Sequence, residues 1–203
     1  MGFLILSFTH SDCGSKKKHL VEVFAILPMI FAIGGPTVNG NGSSYGFYYL
    51  EPGSYLVVDI SVDPPRYKKF EANGTTVDTS EPSINVDVKM AEYAFSMPDI
   101  IESGPQLWKF FNQGQFPHNF GIVQMLQGKS LDDVIDWMGE QSGSAPFEVQ
   151  AFWNVMSPAA TSRVLIDLPP GEYLALDFLP DFASPGMTNV GQGMSQPFTV
   201  TEQ

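Results

Sequence analysis

Apolar and polar positions along the chain fall into short runs of strand character. Phe3–Phe8, Leu20–Ile26, Ser54–Val62, Ile84–Met90, Leu107–Phe111, Asn119–Met125, Ser162–Leu168, Tyr173–Phe178 and Pro197–Thr201 are apolar throughout or alternate apolar with polar residues. Pro-Gly, Asn-Gly, Gly-Lys and Ser-Pro pairs stand between them, residues whose backbone freedom or restriction suits tight turns. Short strands at this spacing predict an all-β sandwich. One segment breaks the pattern. In Ser130–Met138 the residues Leu131, Val134, Ile135 and Met138 recur at helical spacing. Ser130 and Asp133 form a capping box, in which each side chain accepts from the other's backbone amide, and Gly139 is the predicted stop.

The runs repeat. Leu50–Asp59 reads LEPGSYLVVD and Leu168–Asp177 reads LPPGEYLALD, identical at six of ten positions at a constant offset of 118. Each is a Pro-Gly turn feeding a strand that opens on Tyr. His19 and His118 each stand at the mouth of an apolar strand, and Gly2–Thr9 can be laid on Gly104–Phe111. The chain therefore reads as two related modules, residues 1–83 and 84–203, joined near Glu81–Asn85. The second opens with Asn85–Ile101, a strand and turn with no counterpart before Met1. The first module is thus expected to lack its first strand, by design, through replacement by another chain, or through truncation of the reading frame. An apolar edge at Phe3–Phe8 without Lys or Pro is a template for pairing. Its predicted cover is the second module, a partner chain by strand addition, or a domain-swapped homo-oligomer.

Composition narrows the partners. With 203 residues and 43% apolar positions, the chain can bury a sizeable core, and 16% charged residues are too few for a disordered chain. Ten basic against 22 acidic residues give a net charge of −12, which repels nucleic-acid backbones and anionic membranes. The single Cys13 excludes an intramolecular disulfide and a thiolate zinc cluster. Lys16–Lys18 before Leu20–Gly35 resembles the start of a signal peptide, although the run contains Glu22 and Pro28 and is too short to span a bilayer comfortably. The repeat assigns the same residues to a strand. No GxSxG, P-loop, HExxH or GxGxxG pattern is present, so no enzyme activity is predicted. Asn41-Gly-Ser and Asn73-Gly-Thr match glycosylation triplets.

Residues 88–200 carry a family resemblance, in MAEYAFSMPDIIESGPQLWKFFNQGQFPHNFGIVQMLQGKSLDDV, SPAATSRVLIDLPPGEYLALDFLPD and GQGMSQPFTV. These segments resemble the cupredoxin family, above all its small plastocyanin-like, extracytoplasmic members. The resemblance implies a Greek-key cupredoxin-like β-sandwich with a type 1 copper at one end, held by an early His and by a Cys, a His and a Met from the last loop. Two imidazoles, a soft thiolate and a weak thioether suit one-electron transfer. Here only half of that set stands. His118 falls at the first His and Met194 at the axial Met. Asp177 replaces the Cys, and Gly186 stands near the second His, with no His beyond residue 118. In the first module Asp59 matches Asp177, and Arg66–Thr76 fills the place of the Met loop.

The expectation is a double cupredoxin-like sandwich, extracytoplasmic, with a decayed copper site and no cofactor. It would bind an unidentified protein or small ligand, or serve a structural role. The alternative is a residual His118, Asp177 and Met194 site for copper or zinc, of N/O/S character and weak, or an electron-transfer protein built on it. A multicopper-oxidase-like enzyme would need His-x-His ligands between modules, which the sequence lacks.

Overall fold

The computed structural model describes residues 3–8, 31–37, 45–60, 62, 64–74, 82–140 and 142–202. The predicted strand at Leu20–Ile26, the basic run Lys16–Lys18, Cys13, His10, His19 and the first glycosylation triplet lie outside them. The strands are β1 Phe3–Phe8, β2 Phe31–Gly34, β3 Pro36–Thr37, β4 Gly46–Phe47, β5 Gly53–Asp59, β6 Arg66–Ala72, β7 Val86–Ala91, β8 Ala94–Ser96, β9 Ile100–Glu102, β10 Gly104–Asn112, β11 His118–Met125, β12 Phe147–Met156, β13 Thr161–Leu168, β14 Gly171–Leu176 and β15 Ser195–Thr201. Helix α1 spans Leu131–Glu140. The architecture is all-β, as the run pattern predicts.

The strands form two sheets. A long one runs β6-β5-β1-β2-β12-β11-β14-β15-β9, with β3 also on β12, and a shorter one runs β4-β13-β10-β7-β8. Strict alternation along β7 and β10 turns Val86, Val88, Met90, Trp108 and Phe110 toward the long sheet. There they meet Phe120, Ile122, Tyr173 and Phe198, and aromatic pairs such as Phe110–Phe120 at 4.9 Å fill the space. The long sheet is buried on its other face too, where Val134 of α1 packs with Val123, Phe147 and Leu176. The capping box forms: Ser130 N–H donates to Asp133 Oδ2 at 2.9 Å, and Asp133 N–H to Ser130 Oγ at 3.4 Å. The helix runs through Gly139 to Glu140 and does not stop at the glycine. Among the described residues no helix is long and apolar enough to cross a membrane.

The N-terminal strands differ from expectation in three ways. First, β1 is not an edge. It pairs antiparallel with β5 on one side, Leu4 opposite Val58 and Leu6 opposite Leu56, and with β2 on the other. An edge-strand route to a homo-oligomer through Phe3–Phe8 therefore has no edge to use. Secondly, Phe3–Phe8 does not sit as Gly104–Phe111 does, because β10 lies in the other sheet. It sits as β11 does. Ile5 opposes Val57 on β5, and Ile122 opposes Ala175 on β14, where Val57 and Ala175 are related by the same offset as the two Pro-Gly strands and Ile5 and Ile122 by one residue less. The partner strands match as well. Ile5 opposes Gly34 and Leu6 opposes Ala32, skipping Ile33, while Ile122 opposes Ala151 and Val123 opposes Val149, skipping Gln150. Both strand pairs carry a bulge at the same place. Thirdly, Arg66–Ala72 is not a loop in the place of the Met loop: as β6 it stands where β15 stands, with Phe70 opposite Tyr55 as Phe198 is opposite Tyr173.

The long sheet thus reads the same from either side of a seam between β2 and β12. That seam is Ile33 opposite Met156, Asn154 N–H to Gly35 O at 2.7 Å, and a reciprocal pair in which Ala32 N–H donates to Ser157 Oγ and Ser157 N–H to Ala32 O, both at 2.8 Å. Ser162 Oγ also donates to Ile33 O. A small cluster of Ala32, Val155 and Leu179, with Leu56, Val58 and Phe182 against it, fills the space beside the seam.

Candidate functional site

The pairing of β11 with β14, Gly121 opposite Leu176, brings the start of one strand and the end of the other to one end of the sandwich. His118 opens β11 directly after Pro117, and Asp177 follows the last residue of β14. Both are fully buried, 1% and 0% exposed. Their side chains meet, with His118 Nδ1 and Asp177 Oδ2 2.7 Å apart. Asp177 also accepts from Leu179 N–H on Oδ1 at 2.8 Å and from the Asn189 amide on Oδ2 at 2.9 Å. Both carboxyl oxygens are thus engaged, Oδ1 by the Leu179 amide and Oδ2 by the Asn189 amide and His118 Nδ1. Burial raises the Asp177 carboxyl above the ordinary carboxylate range, and the His118 bond and charge, the Leu179 amide and Asn189 offset only part of that.

The surrounding turns are tied to the same pair. Asp177 N–H donates to Met194 O at 3.3 Å, Val190 N–H to Asp177 O at 3.1 Å and Met194 N–H to Asn189 O at 2.9 Å. Phe178 N–H donates to Asn119 Oδ1 at 2.9 Å. Of the three residues expected from sequence, His118 and Asp177 are brought into direct contact. Met194 reaches Asp177 through its backbone carbonyl, and its side chain belongs to the main core. Among the described residues no group of three or more His, Cys, Asp and Glu is arranged to hold a metal.

Sequence reasoning missed two residues here. Asn189 is the second side chain bonded to the Asp177 carboxyl. Glu92, in the β7–β8 turn, points its Oε1 at His118 Nε2 from 4.0 Å. Glu92 Oε1 also accepts from Gln115 N–H and, at 3.0 Å, from Phe116 N–H. Partial burial raises its pKa, but those amides, its own amide and His118 outweigh that and hold the carboxyl below the usual glutamate range. The next residue, Tyr93, adopts a left-handed backbone, φ 65°, and donates its hydroxyl to Asp181 Oδ2 at 3.0 Å. This locks the turn onto the β14–β15 loop. No spacing in the sequence marks Glu92, because it lies 26 positions before His118 and its role depends on a parallel β7–β10 pairing.

Away from this end, a groove of about 400 Å³ opens between β12 and β13, with Val149, Leu165, Ile166 and Trp153 in its walls and Gln150 and Asp167 among its polar groups.

No family model and no curated protein matches the chain. Similar solved structures include sodium-dithionite-reduced auracyanin from Roseiflexus castenholzii, 19% identical over 57% of this chain and 94% of that one, with a TM-score of 0.39. Auracyanin B is 19% identical over 62% and 94%, with a TM-score of 0.42. A multi-copper oxidase from Pediococcus acidilactici is 10% identical over 64% of this chain and 28% of that one, with a TM-score of 0.33. At these scores the likeness is a partial overlap of strands.

Proposed function

We propose that the chain is an extracytoplasmic cupredoxin-like module with a binding or structural role, in which an Asp–His hydrogen bond occupies the place of a type 1 copper. The carrying observation is the His118–Asp177 contact at 2.7 Å, with Leu179 and Asn189 saturating the carboxylate. The residues do not fit a type 1 centre. A hard carboxylate stands where the soft thiolate is required, and the Nδ1 nitrogen beside it is already engaged by that carboxylate. What the pair does instead is join β11 to the β14–β15 loop through a buried, charge-assisted bond. The extracytoplasmic placement rests on the motif resemblance in residues 88–200. The groove between β12 and β13 is of a size that takes a small, mostly apolar ligand, which favours the binding role over a purely structural one.

The test is addition of copper(II) to purified protein. Thiolate-to-copper charge transfer is what gives a type 1 centre its intense visible band, and the expected spectrum has none. An intense band in the red would overturn the reading and place a thiolate at the metal.

A further inference from the structure

Four observations converge on one point beside His118. Its Nε2 is buried and has no hydrogen-bond partner. Its other nitrogen is held by Asp177, which fixes the ring and turns Nε2 outward from the pair. A carboxylate oxygen of Glu92 faces that nitrogen across 4.0 Å. Gly114 stands beside the gap, and a Cβ there would lie 3.0 Å from Nε2 and 2.7 Å from Glu92 Oε1, closing it. Leaving a buried polar atom unpartnered is costly, so the arrangement calls for something to fill the gap.

We infer that His118 Nε2 and Glu92 form a site for a single zinc-class divalent cation, with Asp177 as the orienting partner behind the imidazole and not as a ligand. The donor chemistry is suitable: neutral imidazole nitrogen and carboxylate oxygen both bind Zn²⁺, and a carboxylate on the far ring nitrogen raises the basicity of the near one. The distance is close. Bonds of about 2.0–2.2 Å meeting at a tetrahedral angle separate two ligand atoms by roughly 3.4 Å, so the Glu92 carboxylate must advance about half an ångström. It sits on a two-residue turn with its side chain 30% exposed, which permits that shift. With two protein ligands, solvent completes the shell, and affinity is modest. The site uses the opposite ring nitrogen from the His118, Asp177 and Met194 set suggested by sequence, so it is independent of the copper question.

The experiment is titration of the chelator-stripped full chain with zinc chloride, followed by calorimetry and by the zinc-induced rise in unfolding temperature. The expected result is one Zn²⁺ per chain, at least tenfold weaker binding in Glu92→Gln and in Gly114→Ala, and unchanged binding in Met194→Leu. Unfolding of each zinc-free variant checks its fold. Glu92→Gln keeps an acceptor for the Gln115 and Phe116 amides, so it is the deciding variant. Absence of zinc uptake at millimolar concentration overturns the inference, as does wild-type affinity in Glu92→Gln. Loss of binding in Met194→Leu instead moves the metal to the Nδ1 side. The copper spectrum reads a thiolate and the zinc titration reads Glu92, so the two proposals fail separately.

Discussion

Tyr55 and Tyr173, 118 positions apart, make the same bond: each hydroxyl donates to the backbone carbonyl four residues upstream, Glu51 at 2.7 Å and Pro169 at 2.8 Å. Each ring also stacks on the aromatic residue across the next strand, Tyr55 on Phe70 and Tyr173 on Phe198, both at 5.5 Å and within about a degree of the same tilt, 20° and 21°. The hydroxyl ties the Pro-Gly turn to the strand it feeds, so each corner is held by a bond of its own. Together with the shared bulge, this relationship makes β1, β2, β5 and β6 structural counterparts of β11, β12, β14 and β15.

Replacing either tyrosine by phenylalanine is expected to cost about 1–2 kcal/mol, the net worth of a buried hydrogen bond and its stranded carbonyl. The two costs should be similar and should add in the double variant, because the corners share no partner. Urea midpoints at unchanged slope are the measurement. A large cost in one half and none in the other would contradict equivalent roles.

Asp177→Ala removes the acceptor from three donors at once: His118 Nδ1, Leu179 N–H and the Asn189 amide. Breaking such a buried charged network typically costs about 3–5 kcal/mol. Asp177→Asn retains one acceptor and should cost less. Equal stability of Asp177→Ala and wild type would remove the pair's structural role.

Stability should depend on pH through two carboxylates of opposite sign. Asp177 is raised by burial, so the folded chain holds its proton more tightly than the unfolded one. Its contribution is complete below the ordinary value of 3.8 and is lost as pH rises through the folded value. Glu92 is depressed. Its contribution is present above the ordinary value of 4.5 and is lost as pH falls through the folded value. Urea midpoints between pH 3 and 7 should therefore lose their decline on the rising side in Asp177→Asn, and their decline on the acid side in Glu92→Gln.

The seam is expected to be intolerant at Gly34. Its φ is +95°, and a Cβ would fall 2.3 Å from Trp153 Nε1. Trp153 is buried and stacks on Phe110 at 5.7 Å, so it cannot yield. Gly34→Ala should destabilise the protein by roughly 2–4 kcal/mol, read from thermal unfolding. A neutral outcome would mean that β2 is not seated against β12 as described.

Much of the fold was legible in the run pattern, and the reasons for what was not are specific. β5, β10, β11, β13, β14 and α1 carry period-2 or period-3.6 signals strong enough to stand alone. β6 does not, because Arg66, Lys68 and Lys69 make it too polar, and its exposed face needs no apolar residue. β12 is absent from the predicted runs although Phe147, Val149, Ala151, Trp153 and Val155 alternate, because the polar, Gly- and Ser-rich residues 139–145 before it read as a connection. Periodicity also says nothing of neighbours: Phe3–Phe8 fits β10 and β11 equally as an apolar run, and only pairing with β5 decides. At the site, His118 and Asp177 were visible through motif resemblance, whereas Glu92 enters only through a turn that folds back over them.

The seam also sets an order of events during synthesis. Ala32 and Ile33 leave the ribosome more than a hundred residues before Ser157 and Ser162, their partners. At about 5–20 residues per second that interval is on the order of ten seconds. Throughout it the outer edge of β2 has no β12 to meet, so the nascent N-terminal half carries an unpaired strand edge until the rest of the sheet arrives.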